Sequence, residues 1–114
     1  MSLHQTFPPQ IEGIFAALGD KSRRSIYAAL IEKERTVKEL ADPIGITLTA
    51  LGQHIKVLEA AQLVTSRKVG RERLCSLNPE GMASLEGFAR LQRDLWSTRF
   101  GALRKLLEEG ETPG

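Results

Sequence analysis

The chain has 114 residues, of which 41% are hydrophobic and 26% charged, and a formal net charge of +2. That length sets an expectation of one domain with a modest core, in the size range where a partner subunit adds stability. No apolar run approaches the roughly 18 residues of a membrane span, and the single cysteine, Cys75, excludes an internal disulfide. The start MSLHQTFPPQ lacks the basic-then-apolar order of a secretory signal, so the expected location is the cytoplasm.

The first helix is expected to open near Pro8 or Pro9, because proline fits a first helical turn, with Ile11, Ile14, Phe15 and Leu18 as its apolar stripe and Gly19 at its end. Asp20 is a good N-cap for a second helix over residues 21 to about 32, in which Ile26, Tyr27, Ala29, Leu30 and Ile31 form the core-facing set. Lys21, Arg23 and Arg24 decorate its start, as solvated charges or as contacts to phosphate, and the segment EKER then breaks the apolar pattern. Thr36 and Glu39 have capping-box spacing for a third helix, with Val37, Leu40 and Ala41 inward until Pro43 and Gly45 force a turn. The fourth helix opens at Thr47 and runs through Leu51, Ile55 and Leu58 to Ala61, which leaves Thr47, Thr49, Ala50, Gln53, His54 and Lys56 on its exposed face.

Residues 63–69 and 73–77 alternate as two strands, with Gly70 and Arg71 at the tip of their connection. The last helix begins at Asn78 or Pro79 and runs to about residue 109, with Met82, Leu85, Phe88, Leu91, Leu95, Trp96, Phe100, Leu103, Leu106 and Leu107 three or four residues apart. Roughly thirty residues make about 45 Å of helix, longer than so small a core can cover, so a second subunit is the natural cover. The expected fold is mainly α with a small β-hairpin wing, a winged helix-turn-helix. Its parts are N-terminal helices over 8–35, the helix-turn-helix over 36–61, the wing over 63–77 and the long helix over 79–109 of a single domain.

Charge is distributed unevenly along these elements. Residues 1–46 balance six cations against six anions, residues 47–77 carry five against two, and residues 78–114 carry five against six. The excess therefore lies in the fourth helix and the hairpin, the footprint expected where phosphates dock. A solvated charged hairpin gives the same count.

The segments ALGDKSRR (17–24), QHIKVLE (53–59) and NPEG (78–81), in this order and spacing, resemble the ArsR family of bacterial winged-helix repressors over about residues 11–107. The resemblance implies a homodimer joined through the first and last helices, with Ile11, Phe15, Leu85, Phe88, Leu95, Trp96, Phe100 and Leu103 at the interface. It also implies two recognition helices presented to successive major grooves of a palindromic operator in double-stranded DNA, and release when an effector arrives. Two departures stand in the recognition helix, where the family often carries serines and this chain has Leu48 and Gly52. They place more of the contact on Thr47, Thr49, Gln53, His54 and Lys56. A third is Gln62, which stands where a glycine usually ends the helix, at a turn glutamine tolerates less well.

Gln53 can read adenine through paired contacts and Lys56 can neutralise phosphate or approach guanine. Thr47 and Thr49 lie at the helix start, where hydroxyls and free amides bind phosphate, and Ala50 shares the DNA-facing side. His54 either contacts phosphate or packs on a neighbouring helix. Arg67, Lys68, Arg71 and Arg73 surround the hairpin tip, within reach of the minor groove or the flanking backbone. No metal site is expected, since the third helix has neither cysteine nor histidine and His4, His54 and Cys75 are scattered. No cofactor or enzymatic centre is expected, because the chain has no glycine-rich phosphate loop and no convincing nucleophile and base pair. The effector is left open between a small molecule and a redox signal. Cys75 reads as a small structural residue or as a thiol without a resolving partner, and Phe7, Phe15, Phe88, Trp96 and Phe100 as core or as an apolar pocket. Alternative functions are a winged-helix protein-interaction module and an RNA-binding winged helix.

Overall fold

In the computed structural model, which describes residues 7–111, the elements follow as α1 (Pro9–Leu18), α2 (Lys21–Glu32), β1 (Arg35–Thr36), α3 (Val37–Ile44), α4 (Leu48–Ala60), β2 (Val64–Val69), β3 (Glu72–Leu77) and α5 (Pro79–Glu111). The helix starts are set by side-chain caps. The Asp20 carboxylate accepts from the Arg23 amide at 3.0 Å. Thr36 and Glu39 form a reciprocal capping box, and Thr47 accepts from the Ala50 amide at 3.1 Å. Pro43 lies inside the last turn of α3 rather than ending it; the reversal is made by Gly45, whose φ of 79° is left-handed.

One core joins these elements, built from Ile11, Ile14 and Ala17 of α1, Ile26 and Leu30 of α2, Leu40 and Ala41 of α3, Leu51, Ile55 and Leu58 of α4, and Leu63, Val64 and Cys75 of the wing. Ile31 departs from the expected core set at 62% exposed. Ile26 and Leu30 define the buried stripe of α2, and the residue after Leu30 lies about 100° round the helix from it.

The sheet has three strands in the order β1-β3-β2, all antiparallel. The short strand β1, which pairs Arg35 with Cys75 and Thr36 with Leu74, stands where the EKER segment showed only a break in pattern. Two residues are too few to display a period of two.

The α4–β2 turn is a Schellman motif. Leu63 donates its amide to the Leu58 carbonyl at 3.0 Å and Gln62 to Glu59 at 2.9 Å, with Gln62 at φ 60°. A non-glycine residue in this region costs about 1 kcal/mol. The first turn of α5 sits directly on it, with the Gly81 amide donating to the Gln62 carbonyl at 2.8 Å. A Cβ on Gly81 would lie 2.5 Å from that same oxygen. This explains NPEG physically: the Asn78 side chain accepts from the Glu80 amide at 3.0 Å, Pro79 opens the helix, and Gly81 permits the backbone contact.

Helix α5 has 33 residues, about 50 Å at 1.5 Å per residue. Only its beginning packs on the body, through Met82, Leu85 and Phe88. From Leu91 onward nearly every side chain is exposed, and the molecule extends 78 Å along one axis but 34 and 22 Å along the others. Its radius of gyration, 20.7 Å, compares with about 13 Å for a compact chain of this length.

Candidate nucleic-acid interface

Helix α4 turns Leu51, Ile55 and Leu58 into the core. Thr49, Gln53 and Lys56 lie on the opposite side, and Leu48 and Gly52 form the row along one edge of it, about 60° and 100° round the helix from Leu51. Thr49, Gln53 and Lys56 are exposed there with no hydrogen bond or ion pair to another described residue, so their hydroxyl, amide and ammonium groups are free to meet a partner. Thr47 is also exposed, but its Oγ already serves the cap. Ala50 and His54 are half-buried on the flank of the helix. Leu48, not among the expected contact residues, is exposed at the first position of the helix; its signal in the sequence is its place between two threonines at the helix N-terminus.

His54 is held from α2. Its Nδ1 lies 3.2 Å from Arg23 Nη1, and because a guanidinium only donates, Nδ1 must accept and the ring proton sits on Nε2. Arg23 itself reaches back to α1, donating from Nε to the Ala17 carbonyl at 2.7 Å and from Nη2 to Ala16 at 3.2 Å. Arg24 donates to the Leu18 carbonyl at 2.9 Å. The two arginines thus serve the last carbonyls of α1, of which Ala16 also accepts from the Gly19 amide at 3.3 Å. The same cluster holds the Asp20 carboxyl below its ordinary value of 3.8, first through the hydrogen bond from the Arg23 amide and then through the Arg23 charge.

The wing turn is tight. Val69 pairs with Glu72, leaving Gly70 and Arg71 as a two-residue loop. Gly70 has φ 64° at the first central position, as a type II′ turn requires. Lys68 stands directly opposite Arg73 in the register, an unfavourable juxtaposition of like charges. With Arg71 at the tip, these three cations are exposed and none forms a salt bridge among the described residues. Arg67 is different: it lies on the other face of the hairpin and pairs with Glu34 at 3.1 and 3.4 Å. An exposed pair of this kind contributes at most about 1 kcal/mol and yields readily to a phosphate.

Further along the hairpin, Cys75 is fully buried. Burial pushes its thiol up to about 11, with Glu59 adding to the rise and Arg73 opposing it. Such a thiol is protonated and unreactive at neutral pH. Ser66, its cross-strand neighbour, has a buried Oγ with no partner among the described residues.

Among the described residues no three histidine, cysteine or acidic side chains come together as a metal would need; His4 lies outside them. No described helix is long and apolar enough to cross a membrane. A cleft of about 670 Å³ is lined by residues of α2, β1 and α3 only, including Lys21, Glu32, Arg35 and Glu39, and so lies apart from α4 and the wing.

The expected dimer contacts divide into two groups. Ile11 is buried in the protomer's own core and Leu85 is half-buried against it. Phe7, Phe15 and Phe88 form an aromatic cluster, with ring centroids 5.9 Å apart for Phe7 and Phe15 and 5.0 Å for Phe7 and Phe88. It continues into exposed Leu91, Leu95, Trp96, Phe100, Leu103, Leu106 and Leu107. Those side chains spread over about half the circumference of α5, and Trp96 stacks on Phe100 at 5.6 Å.

A helix with a free polar outer face, held between a first helix and a basic hairpin, defines the winged helix-turn-helix class. Comparison with known proteins agrees. Residues 18–67 match the family model described as a helix-turn-helix domain. The chain is 41% identical over 69 residues to the HTH-type transcriptional regulator Rv2034 of Mycobacterium tuberculosis (strain ATCC 25618 / H37Rv), a match that covers 60% of this chain and 64% of that protein, just under two thirds of its length. The fold superposes on the crystal structure of the ArsR family transcriptional regulator RHA00566 with a TM-score of 0.73 and 34% identity, over 82% of this chain and 97% of the other. It also matches the homodimeric winged helix-turn-helix DNA-binding domain of Mb0332 from Mycobacterium bovis, with a TM-score of 0.61 and 26% identity over 75% and 79% of the two chains. The chain belongs to the ArsR family of winged helix-turn-helix transcriptional regulators.

Proposed function

We propose that the chain is a homodimeric, sequence-specific DNA-binding repressor of its own operon, released by a signal other than a metal. The observation that carries the reading is the pairing of a recognition-helix face of free donors and acceptors, Thr49, Gln53 and Lys56, with a wing tip of unpaired cations, Lys68, Arg71 and Arg73. The first group suits base edges and the second suits phosphates. Thr47, Ala50 and His54 frame the helix start and flank, and Arg67 is a reserve cation held by Glu34. The exposed apolar length of α5, with Phe15 and Phe88, supports a second copy as partner, and a two-fold dimer sets recognition helices about one DNA turn apart, roughly 34–36 Å, on a palindromic site. Against a metal signal stands the donor set: α3 and α5 contain no cysteine or histidine. Against a thiol switch stands the burial of Cys75, which leaves a small-molecule effector as the favoured signal.

Fluorescence anisotropy tests this reading, with the duplex upstream of the chain's own gene against a scrambled duplex at two salt concentrations. The expected outcome is tight, salt-sensitive binding that prefers the upstream duplex, with a steep fall as salt rises. Equal binding to both duplexes, or binding indifferent to salt, removes the autoregulatory reading.

A further inference from the structure

The outer face of α4 contains two residues that its core packing does not explain. Leu48 is 56% exposed, while the staple positions that steady this helix start are occupied by Ile46 and Leu51, both packed into the core. Gly52 lies one turn further on in mid-helix, where glycine is among the least favourable residues. A Cβ built on it would meet nothing within 4 Å, so the fold places no demand for glycine there. At i and i+4 the two are neighbours on one row of the helix, with Thr49, Gln53 and Lys56 beside them on the same face. The result is an apolar step, an isobutyl group beside bare backbone, along one edge of a polar recognition surface.

Base edges in the major groove present donors, acceptors and one apolar group, the C5-methyl of thymine. Recognition helices bring their N-terminal residues to those edges. We propose that Leu48 and Gly52 form a notch that takes a pyrimidine C5-methyl group, that of thymine, once in each half-site. Leu48 covers the methyl, and Gly52 lets the helix backbone approach the base. Neither residue offers a side-chain hydrogen bond, so the contact is apolar and both residues are determinants of specificity. The inference rests on the DNA-reading role proposed above.

The test uses the full chain to select duplexes from a random library, then replaces thymines singly by deoxyuridine, which removes only the methyl. The wild type is expected to bind about fourfold more weakly when one particular thymine per half-site is replaced, the loss of one buried methyl at about 0.8 kcal/mol. Leu48→Ala is expected to bind the thymine and uracil duplexes alike. Gly52→Ala should melt about 4 °C higher, since alanine favours helix, yet lose the thymine preference, a combination that a purely structural glycine does not produce. Indifference to uracil at every thymine overturns the proposal, as does a preference that survives in Leu48→Ala. A gain on 5-methylcytosine with no uracil effect assigns the methyl to the other base and overturns the thymine assignment. Failure to enrich any duplex at low salt overturns the DNA-reading role itself, and is distinguishable because unmodified thymine duplexes then fail as well.

Discussion

Gly81 and Cys75 show how single positions are decided by what surrounds them. At Gly81 a methyl would enter the Gln62 carbonyl, 2.5 Å away, and Leu63 Cδ2, 2.8 Å away. The first of these is backbone and cannot swing aside. Gly81→Ala is therefore expected to cost about 2 kcal/mol in urea unfolding, although alanine is the better helix former. Gly101, on the same helix with open space around it, supplies the contrast: Gly101→Ala should gain up to about 1 kcal/mol. If the two variants shift stability in the same direction, the close approach is not what requires the glycine. For Cys75, a thiol pushed to about 11 by burial should resist an aromatic disulfide reagent at pH 8 in the folded protein and react with it fully in urea. Rapid modification without denaturant would reopen a redox role.

At the scale of elements, helix starts are the parts of this fold most exposed to pH. Asp20 at the start of α2 and Glu39 in the α3 capping box both sit below their ordinary values of 3.8 and 4.5, each chiefly through a backbone amide hydrogen bond. A carboxyl with a lowered folded value contributes stability that is fully present above its unfolded value and disappears as pH falls through the folded one. The melting temperature should hold down to about pH 5 and then fall through the ordinary values and below. Asp20→Asn with Glu39→Gln keeps acceptors at both caps without the titration, so the double variant should show a shallower acid limb. An unchanged limb would assign acid sensitivity elsewhere.

These caps were legible in the sequence, as were the five helices of the described residues and both strands of the hairpin, because each has a period or a cap within a few residues of itself. Strand β1 was not, since its only signal is a partner forty residues away in β3. The same distance limit hid the Arg23–His54 contact, which joins α2 to α4 across 31 positions. In the candidate site, Thr49, Gln53, Lys56 and the wing cations could be named from type and spacing. Gly52 could not, because a glycine in mid-helix shows no periodicity of its own, and Leu48 carried only its place between two threonines; exposure of the leucine and open space beside the glycine make them informative.

For the whole molecule, the governing fact is that α5 outruns the body it belongs to. An apolar arc covering half of a helix is too large to leave in water on a molecule of this size, and the body of the protomer supplies cover only as far as Phe88. In the homodimer proposed above, a second copy related by a two-fold axis would present the same surface in return and close both. This arrangement would also fix the distance between the two α4 helices, so dimerisation and operator spacing become one property. Leu95 and Phe100 are 53% and 59% exposed within the protomer, so changing them leaves the core intact. The double variant Leu95→Glu, Phe100→Glu is expected to halve the mass measured by light scattering while retaining the helical circular dichroism of the folded chain. With one half-site engaged instead of two, its affinity for a selected operator should fall by roughly 10²–10⁴-fold. A variant that stays dimeric would move the interface off this face of α5. One that is monomeric but binds the operator undiminished would separate dimerisation from DNA reading and leave half-site spacing without a structural origin.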